Sequence, residues 1–413
     1  MSVTSFMRTN ARFLSAGVLL AFTSSYGQTF FVSIFAAQIM AAYSLTDGQW
    51  GLTYTVATTA SAVLMFWAGA VTDHFRVRSL AWIIIPALAL ACVGMAWNTS
   101  IIGLAVLVFL LRFLGQGMTS QLAVTAMARW FVAHRGLALS ISAMGFAVGT
   151  ALFPVLFATL LDHYHWRSLW LVAAALVIVS LPLVIWLLSA ERTPQSHAES
   201  ATTLGMDGKH WTRGEVIRSR FFWLLFPLII GPPAWGTALF FQQVHIAETK
   251  GFGLAEYLAL LPLLTTVSVI VMVVSGQLID RFGSSGLIRI YLIPFAVSFL
   301  IISSATSLPV VAIGLMVFGI GAGMQATVPT AFWAEYFGTR YIGAIKAISA
   351  SVMVLGSAIG PGVSGVIIDL GYSFPQQMIY YSAFFLAATG LVWLAVQEGK
   401  RRLPAPQIDV ERA

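Results

Sequence analysis

The chain has 413 residues, of which 59% are hydrophobic and 9% are charged, and its formal net charge is +7. Long apolar segments exclude a set of soluble domains, because a run of about 20 apolar residues spans the hydrocarbon core of a bilayer. The cations are spread over many short loops, which excludes nucleic-acid binding as the reason for the charge. Cys92 is the single cysteine and excludes an internal disulfide.

Twelve membrane spans follow one another along the chain, numbered here span 1 to span 12. Basic residues precede span 1, but its apolar run is too long for the core of a signal peptide, so we expect it to be retained. The composition thus predicts an all-α membrane protein. The predicted bounds are 13–42, 47–71, 80–97, 100–129, 136–161, 168–190, 220–247, 255–279, 287–305, 309–334, 342–368 and 376–397.

Basic residues orient these spans. If the N-terminus is cytoplasmic, nearly all of the 22 Lys and Arg residues fall in cytoplasmic segments. The exceptions are Arg167 and Lys250 outside, and Arg112 and Lys346 within spans. Lys and Arg accumulate on the cytoplasmic side of membrane proteins. We therefore expect an integral protein of the plasma membrane, the inner membrane of a bacterium, with both termini in the cytoplasm.

The two halves of the chain repeat each other at an offset of about 207 residues. GAVTDHFRVRS from Gly69 aligns with GQLIDRFGSSG from Gly276, and Asp162 at the end of span 5 aligns with Asp369 at the end of span 11. Six spans in each half make the repeats parallel, with a pseudo-two-fold axis along the membrane normal. We expect an N-terminal six-helix bundle at 1–190, a cytoplasmic linker at 191–219, a C-terminal six-helix bundle at 220–397 and a cytoplasmic tail at 398–413.

Glycines recur in the repeat as well. Gly145 and Gly149 of span 5 match Gly356 and Gly360 of span 11. Small residues spaced four apart let helix backbones approach closely. We expect these two spans to pack across the interface between the halves.

The loop after span 2 carries a recognisable signature. GAVTDHFRVR is similar to the G-x-x-x-D-R-x-G-R-[KR] motif of the major facilitator superfamily, which the chain resembles over nearly its whole length, although His74 replaces an arginine. ARWFVAHRGLALSISAMGFAVGTALFP resembles the monocarboxylate porters and oxalate–formate antiporters. The resemblance implies a transporter of twelve helices whose motif residues act in gating. These gating candidates are Asp73, Arg76, Arg78, Asp280 and Arg281.

Lys346 is a further gating candidate. It lies about one turn inside span 11. A lysine near a helix end often extends its ammonium group to the membrane surface, so a purely anchoring role is the alternative. The antiporters that the chain resembles also use a lysine in this helix, together with an arginine in span 8 that this sequence lacks.

Buried amides distinguish spans 1, 4, 7 and 10 from the others. Amides that faced lipid would be costly, so these four spans are expected to face protein or water. In the superfamily the same four helices line the central cavity. The candidate substrate-binding amides are Gln28, Gln116, Gln242 and Gln325.

Arg112 lies roughly 18 Å along span 4, near the middle of the bilayer. Its counterpart in the second half is Phe318, so the repeat does not impose it. A guanidinium in a wet cavity binds a carboxylate through paired hydrogen bonds. The alternative is a structural arginine bonded to backbone carbonyls near a helix break. The sequence RFLGQG also resembles a superfamily motif that is tied to proton coupling in some members.

Aromatic and titratable side chains complete the candidate site. Tyr26, Trp235, Phe240 and Trp333 lie on the same four spans and suit a planar solute, with core packing as the alternative. No Asp or Glu lies at mid-depth in any span, so His245 and Glu248 at the outer end of span 7 are the candidates for proton coupling, unless they are simply rim residues.

These patterns predict a secondary active or facilitative transporter, a symporter or uniporter that works by alternating access. The leading substrate class is a monocarboxylate-like organic anion bound by Arg112. The alternative is a planar aromatic compound resembling a vitamin or drug, and a receptor that does not transport is a weaker third possibility. Enzyme motifs are missing from the sequence, so we expect no catalysis, cofactor or metal. The expected partners are the solute and the lipid bilayer, with no nucleic acid, and the protein is expected to be a monomer.

Overall fold

The computed structural model describes residues 3–131, 135–190, 204–338 and 340–404, and regular structure within these ranges is helical. Ten of the described helices are long and apolar enough to cross a membrane, and the bent pair Met7–Gly27 and Thr29–Tyr43 forms an eleventh candidate. The remaining predicted span, span 2, is the 28-residue helix Asp47–His74. The expected all-α membrane fold is confirmed.

The first six spans have the predicted order, and the helix of span 1 begins ahead of its apolar run. Span 1 comprises Val3–Thr23, Ser24–Gly27, Thr29–Val32, Ser33–Phe35 and Ala36–Tyr43; span 2 is Asp47–His74; span 3 is Val77–Trp97; span 4 comprises Ile101–Leu111, Arg112–Thr119 and Ser120–Trp130; span 5 is Arg135–Leu161; and span 6 is Trp166–Leu187, followed by Leu188–Ala190.

The second six spans also have the predicted order. After Met206–Gly208 and Arg213–Arg218, span 7 comprises Arg220–Phe241 and Gln243–Lys250; span 8 comprises Leu254–Leu258 and Leu261–Phe282; span 9 comprises Ser284–Ile290 and Ile293–Ser304; span 10 is Leu308–Phe337; span 11 is Ile342–Asp369; and span 12 is Phe374–Lys400.

Side-chain caps explain where spans 2 and 4 begin. The Thr46 hydroxyl accepts a hydrogen bond from the backbone N–H of Gln49 at 3.2 Å, and the side-chain oxygen of Gln49 accepts one from the backbone N–H of Thr46 at 3.1 Å. Ser100 accepts a bond from the Gly103 amide at 2.9 Å. Such caps satisfy N–H groups that have no partner within the first turn of a helix.

The Cα positions form two compact units. Unit 1 contains Met1–Glu199, Gly236–Pro262 and Ser357–Phe374, and unit 2 contains Ser200–Trp235, Leu263–Gly356 and Pro375–Ala413. Unit 1 therefore holds the first six spans together with adjoining ends of spans 7, 8 and 11. The bundle boundaries inferred from the sequence repeat stay a prediction.

The repeated glycines pack inside the units. A Cβ atom at Gly145 would collide with the carbonyl oxygen of Val18 in span 1, and one at Gly149 would collide with Ser25. At Gly356 it would lie 2.8 Å from the carbonyl oxygen of Ile230 in span 7. Gly145 and Gly149 therefore let span 5 approach span 1, and Gly356 lets span 11 approach span 7. The expected contact of spans 5 and 11 with the other half is made by other residues: span 5 packs on Leu254–Leu258 of span 8, and Gly362 of span 11 lies against Thr55 of span 2.

The described part of the linker belongs to unit 2 and packs there. Asp207 receives two hydrogen bonds from the Arg402 guanidinium, at 3.0 and 2.6 Å, and its amide donates to the Arg402 carbonyl at 2.7 Å. The Trp211 amide donates to the Phe337 carbonyl at 3.0 Å. The second part of the linker is therefore held on the ends of spans 10 and 12.

Candidate functional site

Span 1 is broken at Gly27 and Gln28. The helical segments on either side are bent by 47°. Gln28 has an extended backbone, with φ −85° and ψ 154°. An extended residue interrupts the helical hydrogen bonds, so the carbonyl groups before it become available to side chains.

Span 4 contains a π-helical segment, Arg112–Thr119, opposite this break. The Thr119 hydroxyl donates to the Leu114 carbonyl, five residues earlier, at 2.7 Å. A Cβ atom added at Gly115 would lie 2.6 Å from the Gly27 Cα atom, so the two backbones touch here. Glycine on both sides permits this approach, and π-helical turns often occur at functional sites.

Arg112 is fixed between the two spans. It is 1% exposed. One terminal nitrogen donates to the Gly27 carbonyl and to the Thr29 hydroxyl, each at 3.2 Å. The guanidinium carbon lies 5.3 Å from the centre of the Tyr54 ring, and the Tyr54 hydroxyl lies 2.7 Å from the Thr29 hydroxyl oxygen. This geometry agrees with the structural alternative for Arg112, in which the guanidinium binds a backbone carbonyl at a helix break.

The charge of Arg112 is nevertheless only partly satisfied. Its Nε and its second terminal nitrogen have no hydrogen-bond partner among the described residues. No carboxylate in the described ranges lies within ion-pair distance of it. Arginine does not lose its proton in proteins, and a buried unpaired charge costs several kcal/mol. The surroundings of Arg112 are therefore electrostatically positive and favour an anion.

A pocket of about 390 Å³ opens beside this arginine within unit 1. Its lining comes from spans 1, 4 and 5, and none of the lining side chains is charged. Gln28 sits between the two residues that bind Arg112, and Gln116 follows Arg112 on the π-helical segment, so the pocket and the cation share backbone. Arg112 itself does not line the pocket. The lining residues are Ala21, Ser24, Gln28, Gln116, Ser120, Ala123, Val124, Leu139, Ser142, Ala143 and Phe146.

Three other predicted site residues of unit 1 make contacts away from this pocket. Tyr26 is 2% exposed and packs on Phe153, with ring centres 4.6 Å apart. The Phe240 carbonyl accepts a hydrogen bond from Ser33 at 2.7 Å. The side-chain amide of Gln242 donates a hydrogen bond to the Ser364 hydroxyl at 3.1 Å. Of the predicted substrate-binding residues, Gln28 and Gln116 line this pocket.

Trp235, Gln325 and Trp333 belong to unit 2. Trp235 stacks on Tyr381 with ring centres 4.0 Å apart, Gln325 is half-buried, and Trp333 is 3% exposed beside Phe337.

Phe318, the counterpart of Arg112 in the second half, packs edge-to-face on Phe295 with ring centres 5.0 Å apart. Unit 2 thus has an aromatic cluster at the position where unit 1 has a buried cation.

The predicted gating residues are exposed where their side chains are described. The side chains of Asp73 and Asp280 lie outside the described ones. Arg76 and Arg78 line a second cavity of about 340 Å³ near Trp82 and Ser189. Arg281 and Lys346 are exposed. The gating role of these six residues stays a prediction.

His245 lies near an acidic residue of span 2, and its role in proton coupling stays a prediction. Glu248 is exposed, whereas the His245 Nδ1 atom lies 3.9 Å from the Asp47 carboxylate. Next to it, the Asp369 carboxylate accepts hydrogen bonds from the Thr46 hydroxyl at 2.6 Å and from the Gly48 amide at 3.0 Å. Sequence reasoning missed this cluster. The alignment of Asp369 with Asp162 in the repeat was the only sign of it.

The fold and the site define a class of membrane transporter. The family model of the Major Facilitator Superfamily matches residues 17–294 and 278–412. The chain therefore belongs to the Major Facilitator Superfamily, and it is an integral membrane protein that transports solutes.

One relative and two solved structures refine this comparison. The chain is 24% identical over 314 residues to monocarboxylate transporter 13 of Rattus norvegicus, covering 73% of this chain and 70% of the relative. It resembles the inward-facing, unoccupied structure of a bacterial homolog of the human lysosomal transporter Spinster, with TM-score 0.68, 17% identity and coverage of 96% and 99% of the two chains. It also resembles the nucleoside transporter NupG, with TM-score 0.71, 11% identity and coverage of 93% and 98%. At these identities the structures share the fold alone.

Proposed function

We propose that the protein moves a small organic anion of the monocarboxylate class across the membrane by alternating access. The observation that carries this proposal is the buried Arg112 guanidinium, which has two unpartnered nitrogens and lies beside the Gln28 and Gln116 pocket. The similarity to a monocarboxylate transporter supports the same class of solute. A pocket of about 390 Å³ is also within the range of small-molecule sites.

In this proposal the amides and the arginine act differently on the anion. Gln28 and Gln116 donate hydrogen bonds to the carboxylate, and Arg112 attracts it from behind the pocket wall. Two unit charges of opposite sign that are about 8 Å apart attract each other by about 2 kcal/mol at an effective dielectric constant of about 20, and we take this as the scale of the effect of Arg112. Loss of the charge then weakens anion binding about 30-fold, whereas a neutral solute keeps its affinity.

The test is transport by purified protein in liposomes, with lactate as the anion and its amide, lactamide, as the neutral probe. Arg112→Gln is expected to lower lactate uptake at least tenfold, and Arg112→Lys, which keeps the charge, should retain more of it. Arg218→Gln removes an exposed cation of the helix Arg213–Arg218 and serves as the matched control. Equal lactate uptake by Arg112→Gln and by the unmodified protein, at equal folded protein, refutes the proposal.

A neutral planar solute is the second candidate, and the uncharged lining of the pocket favours it. In that case Arg112 has only a structural role between spans 1 and 4. A thermal-shift screen of the purified protein against organic acids and against neutral heterocycles separates the two. Stabilisation by the heterocycles alone, retained in Arg112→Gln, supports this second candidate.

A further inference from the structure

Asp369 ends span 11 and binds the start of span 2, and both segments belong to unit 1. Its carboxylate accepts hydrogen bonds from the side chain of Thr46 at 2.6 Å and from the backbone of Gly48 at 3.0 Å. Thr46 is the N-cap residue of span 2. The first N–H groups of a helix have no partner within the helix and carry partial positive charge. Asp369 therefore supplies a capping carboxylate from another span.

The contact continues along the two spans towards the middle of unit 1. Cβ atoms added at Gly51 and Gly362 would lie 2.5 Å from the Pro361 carbonyl oxygen and from the Thr55 hydroxyl oxygen, respectively. The Thr55 hydroxyl donates to the Ala358 carbonyl at 2.6 Å. Spans 2 and 11 thus form a tight glycine-lined seam with a hydrogen bond at each end. Small residues at such a seam allow close contact without interlocked side chains, so the seam is able to part.

Span 7 joins the first half at the same end of unit 1. The side-chain amide of Gln243 donates hydrogen bonds to the Ser33 hydroxyl at 2.9 Å and to the Phe30 carbonyl at 3.3 Å. The ring of Phe241 stacks on that of Trp50, with centres 5.6 Å apart. The ionisable groups beside Asp369 at this end are Asp47 and His245, with the exposed Glu248 further along span 7.

Within the described residues, the carboxylate cap occurs at span 2 and is missing at span 8, the counterpart of span 2 in the second half. Asp162 is the counterpart of Asp369, and both side chains are exposed, so burial does not distinguish them. The helix that each could cap does. The first helix of span 8, Leu254–Leu258, follows Gly253 and has no side-chain cap. The carboxylate cap is thus a specific feature of spans 2 and 11 and is not a consequence of the repeated fold.

We propose that Asp369 is a gate residue of the transporter, which holds the Asp47 end of the pathway closed by capping span 2. Opening this end separates the Asp369 carboxylate from the Thr46 hydroxyl and the Gly48 amide and parts the glycine seam. This role of Asp369 belongs to the transport cycle and is independent of which solute is carried.

The experiment measures access to the seam in the absence of solute. Cys92 is fully buried, so a cysteine introduced at Ser364 is the reporter for a membrane-impermeant maleimide in cells and in inverted vesicles. Ser364 is buried next to the seam, between Gly362 and Asp369 of span 11, where its hydroxyl accepts a hydrogen bond from Gln242 of span 7. Asp369→Asn is expected to raise the labelling rate at least fivefold when the maleimide is added on the side of the membrane that the Asp47 end faces. Asp162→Asn is the matched control and should leave the rate unchanged.

An unchanged labelling rate in folded Asp369→Asn overturns the proposal, and so does an equal increase in both variants. If Asp369→Asn does not reach the membrane, Thr46→Ala provides the same test, because it removes one of the two donors and leaves the Gly48 amide in place. It should give a smaller increase, and no increase again overturns the proposal. The proposed substrate is tested separately: unchanged lactate uptake in Arg112→Gln refutes the proposed substrate, whereas the labelling of Asp369→Asn alone decides the gate.

Discussion

A methyl group added at Gly115 tests the contact on which the position of Arg112 depends. In Gly115→Ala the new Cβ atom would lie 2.6 Å from the Gly27 Cα atom and 2.8 Å from the Gly27 nitrogen, where ordinary contacts are 3.4–4 Å. Both neighbours are backbone atoms and cannot rotate away. Spans 1 and 4 must therefore separate by about 1 Å, a distance at which a hydrogen bond is lost.

The expected cost follows from these distances. Overpacking of a close helix contact costs about 1–3 kcal/mol. The separation also lengthens the 3.2 Å bond between Arg112 and the Gly27 carbonyl, and a hydrogen bond to a charged group is worth about 1.5–3 kcal/mol. We expect Gly115→Ala to lose about 3 kcal/mol or more, with a lower midpoint of thermal unfolding in detergent and a loss of transport.

Gly117→Ala is the matched control on the same π-helical segment. Its Cβ atom would meet the Met65 side chain, at 2.8 Å from the sulfur and 3.0 Å from Cγ. A methionine side chain is flexible and able to move aside, so the variant should unfold near the temperature of the unmodified protein. If Gly115→Ala unfolds at the same temperature as Gly117→Ala and transports equally well, the close contact between spans 1 and 4 is not what positions Arg112.

Three further outcomes are expected. Thr29→Val removes the oxygen shared by Arg112 and Tyr54 and should cost about 1–3 kcal/mol in thermal unfolding, whereas Thr29→Ser should be near neutral, and equal midpoints for the two contradict this. Gln116→Ala should raise the KM for the solute several-fold with little change in the unfolding midpoint, since this amide is half-buried in the pocket; an unchanged KM removes it from the site. Hydrogen bonds from Arg402 hold the pKa of Asp207 below its usual range, so the linker contact is fully present above the ordinary carboxyl pKa of about 4 and weakens as the pH falls through the lowered value. The protection of the Asp207 amide against hydrogen exchange, taken relative to the intrinsic rate at each pH, should fall below about pH 4, and Asp207→Asn should remove that dependence on pH.

The order and number of the spans were predictable from hydropathy, because a span has to satisfy its backbone internally and to present apolar side chains to lipid. Burial of Arg112 was predictable for the same reason, since an isolated cation at that depth has to face protein or water. The pairing of Gln28 with Gln116 in one pocket followed from the rule that amides avoid lipid.

The partners of these residues were not predictable from local patterns. Arg112 binds the Gly27 carbonyl because span 1 breaks there, and nothing in SSYGQTFF specifies an extended residue after the glycine. The Tyr54 contact depends on how span 2 rotates against span 4. Asp369 and Thr46 lie 323 positions apart, whereas the sequence patterns that indicate a helix cap involve only residues next to the helix in the chain. Tyr26 and Trp333 became packing residues because aromatic side chains on a cavity helix also fill the spaces behind it.

The 47° bend of span 1 divides that span into two segments with different neighbours. The segment before Gln28 is bound to span 5 through the glycine contacts at Val18 and Ser25, and the segment after it is bound to span 7 through Ser33. A straight helix would transmit any tilt of span 7 along its whole length as a rigid rod. Because the helix is interrupted at Gly27, the segment that lines the pocket at Ala21 and Ser24 takes its support from span 5, and a tilt of span 7 is not carried into the pocket wall along a continuous helix.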